Sequence, residues 1–199
     1  MPQSELATCQ SLMQTSIKAL FPSGIKEGSR AKEYELAMLW LTDCGLIHKV
    51  HRVTTSSLSL RAYEDQRAFK LFIVDIGLLA CMAGLRQDVL LDGNELFKEF
   101  KGALTEQYFL QQLKTLKGIR TYYWTAERAT AEVDFLIDNG IDVIPIEVKV
   151  ETNLQAKSLK VYHEKFKPRL SIRTSMADYK KEDWLLNLPL WAVGIASVK

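Results

Sequence analysis

Two short runs near the middle of the chain switch between apolar and charged positions with a period of two. In the first, Val133, Phe135 and Ile137 interleave with Glu132, Asp134 and Leu136; in the second, Ile144, Ile146, Val148 and Val150 interleave with Val143, Pro145, Glu147 and Lys149. That period predicts two strands, and Asp138-Asn139-Gly140 between them predicts a tight hairpin. Upstream, a broad apolar stripe predicts a long helix from Asn94 to about Leu116. It comprises Leu96, Phe97, Phe100, Ala103, Leu104, Leu110, Leu113 and Leu116, and Gly118 ends the helix. Arg120–Thr125 follows as a strand, with Tyr122 and Trp124 on one face and Tyr123 on the other. After the hairpin come a helix over Ala156–Phe166, a strand at Leu170–Arg173 and a closing apolar strand over Leu188–Ile195.

The first half has a different rhythm. A helix up to about Ala19 and a clearer one over Arg30–Cys44 precede Gly45, a residue suited to the left-handed position past a helix end. The second helix has Tyr34, Ala37, Met38 and Leu41 as its apolar stripe. Leu46–Val53, Leu58–Ala62 and Ala68–Val74 read as strands, and Asp75 as the N-cap of a short helix to Met82 or Ala83. Two helices followed by a strand pair with a polar tip is the layout of a winged helix. With Asp88–Gly93 as linker, the pattern predicts a small winged-helix-like α+β domain over residues 1–92 and a second domain over 93–199.

Composition adds little beyond a globular α/β chain: 47% of residues are hydrophobic and 25% charged, with a formal net charge of +2. Cys9, Cys44 and Cys81 are too few and too scattered for a disulfide framework or a zinc site. Cys44 and Cys81 lie in apolar contexts that predict burial. No basic start followed by an apolar run opens the chain, and Leu71–Leu85 is too short and interrupted to span a bilayer. The expected compartment is the cytoplasm, with no membrane partner. No G-x4-G-K-[ST] phosphate loop occurs, so no nucleotide site is expected in this chain.

Charge distribution is more telling than net charge. Residues 1–92 hold ten Lys and Arg against ten Asp and Glu, a balance that does not announce a nucleic-acid surface. His48, Lys49, His51 and Arg52 near the wing suit phosphate contacts, or equally a charged edge strand. Between Lys149 and Lys181, nine basic residues face three acidic ones, a local excess of six. Lys157, Lys160, Lys165 and Lys167 are the candidates there for a track along a nucleic-acid backbone; a solvated helix face accounts for part of the excess.

The hairpin carries the candidate chemistry. With a loop of Asn139–Asp142, Asp138 stands opposite Val143, Asp134 opposite Glu147 and Glu132 opposite Lys149, with Glu132, Asp134, Glu147 and Lys149 on one face. Like charges placed directly opposite destabilise a sheet, so two facing carboxylates suggest a cation between them. Magnesium or manganese suits such a pair, since a hard divalent ion takes one or two carboxylates together with waters and phosphate oxygens. Lys149 would then orient a water or steady charge on a phosphate. The plainer reading is a salt-bridged surface, with Glu132 paired to Lys149. Glu106 sits inside the apolar stripe of the long helix, beside Gly102, Ala103, Phe109, Leu110 and Leu113. A carboxylate there needs a cation, a basic partner or a place at the rim.

Asp134, Glu147 and Lys149 in the spacing D-x12-E-x-K resemble the active-site motif of the PD-(D/E)XK phosphodiesterases, which include many nucleases. Glu132-Val-Asp-Phe followed by Pro145-Ile-Glu-Val-Lys149 is similar to one branch in particular, the domain of unknown function 4143. That domain is found behind an AAA-type ATPase module in many bacterial and archaeal proteins. Val133 replaces the proline of the motif's name. The resemblance implies a restriction-endonuclease-like αβββαβ core and a metal held by Asp134 and Glu147, with the backbone carbonyl of Val148. It also implies Lys149 as the motif lysine, Glu106 as the glutamate from the first core helix, and DNA and a separate ATPase module as partners. It leaves open whether the domain cuts nucleic acid, binds it as a silent or regulatory module, or serves as a structural interaction domain.

Overall fold

The computed structural model describes residues 35–82, 95–127, 130–150 and 156–193. Among these residues eight strands form one sheet. In chain order the elements are α1 (Glu35–Asp43), β1 (Ile47–Val53), β2 (Glu64–Ile73), α2 (Ile76–Met82), α3 (Glu95–Lys114) and β3 (Arg120–Thr125). They continue with β4 (Glu132–Asp138), β5 (Val143–Val148), α4 (Lys157–Phe166), β6 (Ser171–Ser175), β7 (Lys180–Lys181) and β8 (Leu185–Pro189). The spatial order is β2-β1-β3-β4-β5-β6-β8-β7. The fold is therefore mixed α/β, with the expected order of helix, three strands, helix and strand running from α3 to β6. The helix expected before Ala19, the Asp88–Gly93 linker, Cys9 and the side chains of Leu96, Phe97 and Phe100 lie outside the described residues.

A helix covers each face. On one, Phe109, Leu110 and Leu113 of α3 pack on Tyr123, Phe135, Ile137, Ile144, Ile146, Val148 and Ile172. On the other, Leu159 and Tyr162 of α4 pack on Tyr122, Trp124, Val133, Leu136 and Leu185. Trp124 meets Tyr162 and Phe166 edge-on, at 5.2 and 5.7 Å between ring centroids, a geometry that aromatic quadrupoles favour. The aromatic residues of β3 are thus split between the two cores as their alternation predicts.

The β1–β2 hairpin is hydrogen-bonded into the same sheet. β1 runs parallel to β3, with His51 against Tyr122 and Val53 against Trp124. Strands from both sides of residue 92 thus share one hydrogen-bonded ladder. Two glutamines of α3 tie the hairpin down further. The amide of buried Gln107 accepts from the Ile73 N–H and donates to its carbonyl, and Gln111 accepts from the Ile76 N–H and donates to Asp75. Asp75 caps α2 as expected, accepting from the Leu78 N–H at 2.8 Å. Gly45 takes the left-handed conformation, φ +73°, where a Cβ would be strained.

Four expectations are corrected. Leu58–Ala62 is not a strand. Ser59 is left-handed at φ 67°, and buried Leu60 opens a 3-10 turn whose N–H binds Asp138. Among the described residues the last strand is Leu185–Pro189, where Leu188–Ile195 was expected: Leu185, Asn187 and Pro189 point inward, and residues 190–192 turn into a 3-10 helix, while residues 194 and 195 lie outside the described residues. Cys44 and Cys81 are exposed. In α1 Met38 is buried, but Ala37 of the expected stripe is exposed and Leu41 only half-buried, and Tyr34 lies outside the described residues.

Candidate metal centre

The hairpin register is the one that apolar pairing dictates: Asp138 faces Val143, Ile137 faces Ile144 and Phe135 faces Ile146. The ladder ends there. The next two positions are Asp134 and Glu147, and the Asp134 carboxylate reaches across to accept the Val148 N–H at 2.7 Å. A side chain thus replaces a backbone carbonyl at the point where the two strands part.

A bulge in β4 aims that side chain. Tyr122 pairs with Leu136 but Trp124 with Val133, so Tyr123 alone stands against both Asp134 and Phe135. Such an insertion re-aims side chains and breaks the alternation. Val133 moves into the core with Leu136 and Trp124. Glu132 and Asp134 turn toward α3. The row expected from simple alternation, Val133 with Phe135 and Ile137, does not form.

The acids that feel one another around the bulge come from three elements. Glu106 is supplied by α3, Glu132 and Asp134 by β4, and Glu147 by β5. Two lysines stand among them. Lys149 Nζ lies 2.5 Å from Glu147 Oε1. Lys70 of β2, only 7% exposed, lies 2.5 Å from Glu132 and 3.6 Å from Glu106. The expected pair of Glu132 with Lys149 is therefore replaced by Glu132 with Lys70 and Glu147 with Lys149. Glu106 is half-buried beside Lys70, which answers how a carboxylate sits in that stripe.

The electrostatics show a shortage of positive charge. Burial holds the Asp134 carboxyl well above the ordinary carboxylate range; Glu106 and Glu147 push the same way, against Lys70 and the Val148 N–H. Burial also raises Glu147, against the pull of Lys149, with Glu106 and Glu132 adding to the rise. Lys70 is driven far above the usual lysine range, because the attraction of Glu106, Glu132 and Asp134 outweighs its burial. Formally, four carboxylates face two ammonium groups. In this cluster the buried oxygen Glu147 Oε2 has no hydrogen-bond partner among the described residues.

These features fit a divalent cation. Asp134, Glu147 and the Val148 carbonyl are the expected donors, and the charge deficit equals one such ion. Among the described residues no group of three or more His, Cys, Asp or Glu side chains is gathered to hold one ion. A site with two carboxylates is the usual magnesium arrangement, with waters completing the shell.

Three basic residues of β1 are occupied within the protein. Arg52 pairs with Asp65 at 2.7 Å, His51 lies 3.6 Å from Glu64, and Lys49 stacks on Phe69. Burial, and Lys114 nearby, lower His48. On α4 and its end, Lys157, Lys160, Lys165 and Lys167 are all exposed. Lys160 lies 3.9 Å from Glu164, and Lys165 sits over the rings of Trp124 and Phe166.

Sequence reasoning missed Lys70, Gln107 and Gln111. A signal for Lys70 was present: a lone charge inside the apolar run Ala68–Ile73 must find a counter-charge if that strand is buried.

Among the described residues no helix is long and apolar enough to cross a membrane. Residues 101–193 match the model of a family described as a domain of unknown function, DUF4143. Residues 6–89 match that of a second domain of unknown function, DUF8612. The first segment contains Glu106, Asp134, Glu147 and Lys149, and the second contains Lys70. No curated protein and no solved structure matches the chain.

Proposed function

We propose that this chain carries a metal-dependent nucleic-acid phosphodiesterase site of the PD-(D/E)XK kind, on a restriction-endonuclease-like core with a winged-helix-like segment before it. The observation that carries the reading is the convergence of Asp134, Glu147 and Lys149 where β4 and β5 part, with Glu147 Oε2 buried and unpartnered. Asp134 and Glu147 would hold magnesium or manganese together with the Val148 carbonyl. Glu106 would complete the site from α3. When bound, the ion supplies Lewis-acid activation of the phosphate and of water.

The rest falls to the protein's own groups. Lys149 is one-third exposed at the rim of the cluster and already held by Glu147. From there its ammonium can orient a water or steady negative charge on a phosphate oxygen. The exposed lysines of α4 would track the backbone of a duplex or single strand by charge alone. The resemblance in the hairpin also points to an AAA-type ATPase module as the natural neighbour, in a cytoplasmic setting. A binding-only module is the second reading. It is favoured by one observation, that lysines already engage Glu147 and Glu132.

Cleavage assays separate the two. Plasmid and single-stranded DNA should be cut by the full chain in magnesium or manganese, and neither by Lys149→Ala nor in chelator. Metal-independent binding without cutting would overturn the phosphodiesterase reading and leave the binding module.

A further inference from the structure

Lys70 has no part in the chemistry above, yet it is buried and pairs with two of the four carboxylates. β2 and β4 are separated by β1 and β3 in the sheet, so the Lys70 and Glu132 side chains meet by reaching over the strands between them. The ammonium lies 5.2 Å from the ring centre of Tyr123, in the strand between. Its partners Glu106 and Glu132 come from different elements, α3 and β4. Its own strand is fastened to α3 through Gln107, one residue after Glu106. An ammonium so placed neutralises the side of the cluster that Lys149 does not reach.

We propose that Lys70 is a positioning residue that stands in for a second cation. It holds Glu106 and Glu132 together and limits the centre to one divalent ion, an inference that rests on the metal-site reading above. The charge balance supports it. With Lys70 the formal excess is two negative charges, matched by one divalent ion; without Lys70 it is three. The consequence is structural as well as electrostatic. The charge of a site whose acids all lie in residues 101–193 is set by a residue of the 6–89 segment, so a core separated from its hairpin would have an altered metal requirement.

Manganese titration by calorimetry on the full chain tests this, using wild type, Lys70→Met, Lys70→Arg and Glu132→Gln. Wild type is expected to take one ion. Lys70→Met, which keeps the length and removes the charge, should take a second ion or bind the first at least about tenfold more tightly. Lys70→Arg should restore wild-type behaviour, and Glu132→Gln should weaken binding by about tenfold. Equal stoichiometry and affinity in wild type and Lys70→Met would overturn the inference while leaving the metal site standing. Binding to Lys70→Met but not to wild type would keep Lys70 as the competing cation and remove the functional reading of the native chain. Binding to neither would remove both. If circular dichroism shows Lys70→Met unfolded, the other two variants decide: Glu132→Gln binding as tightly as wild type, or Lys70→Arg departing from it, would overturn the inference.

Discussion

Replacing Asp134 by Asn should make the metal-free protein more stable at neutral pH, although it removes a buried group with a good hydrogen bond. The amide oxygen of Asn can still accept the Val148 N–H now bound at 2.7 Å, so the geometry survives and only the charge is lost. Burial disfavours that charge first; among its neighbours Glu106 and Glu147 repel it and Lys70 attracts it, leaving about one uncompensated repulsion. At a separation of about 8 Å and an effective dielectric constant of about 20, one such pair is worth about 2 kcal/mol. The sign with pH follows from the raised folded-state value. Below the unfolded carboxyl value of about 3.9 the group is protonated in both states and its contribution is fully present. As pH rises through the folded value, wild type loses that contribution and Asp134→Asn does not. The advantage of the variant should therefore be absent near pH 3 and reach about 2 kcal/mol once the folded group has ionised. Urea unfolding in chelator at several pH values measures it. Saturating magnesium should reverse the order, since an ion at about 100 times its Kd adds about 2.7 kcal/mol to the protein that binds it. A variant less stable than wild type in chelator at neutral pH would refute the charge-deficit argument.

Two further outcomes concern the β1–β2 hairpin and the lysines of α4. Gln107→Leu leaves the buried N–H and C=O of Ile73 unpaired and should cost about 3 kcal/mol in urea unfolding; a loss under about 1 kcal/mol would mean that the hairpin is held without this glutamine. Neutralising Lys157, Lys160, Lys165 and Lys167 together should flatten the salt dependence of duplex binding by about 0.9 in logarithmic slope for each phosphate that the variant no longer neutralises. An unchanged slope would place the track elsewhere.

What was legible in the sequence is what short-range pattern controls. Period two and the Asn139-Gly140 turn were enough for the register of β4 and β5, and hence for the nearness of Asp134 and Glu147. The limits of β3 and α4, the Asp75 cap and the left-handed Gly45 follow from equally local rules. Alternation failed where the chain stops counting by twos: the bulge opposite Tyr123 sends Val133 to the other core, and no local residue type announces it. Long-range pairing was illegible for a different reason. Lys70 lies more than thirty residues before Glu106 and more than sixty before Glu132, and only the parallel pairing of β1 with β3 brings them together. Met38 shows a third limit, since the stripe around it predicts burial of neighbours that the sheet does not reach.

Everything proposed for this site depends on Asp134 and Glu147 forming a centre for one divalent cation. Calorimetric titration of magnesium or manganese into wild type and Glu147→Ala tests it most directly. Wild type is expected to bind one ion saturably, and Glu147→Ala to lose that binding. Identical titration curves for the two proteins would contradict it.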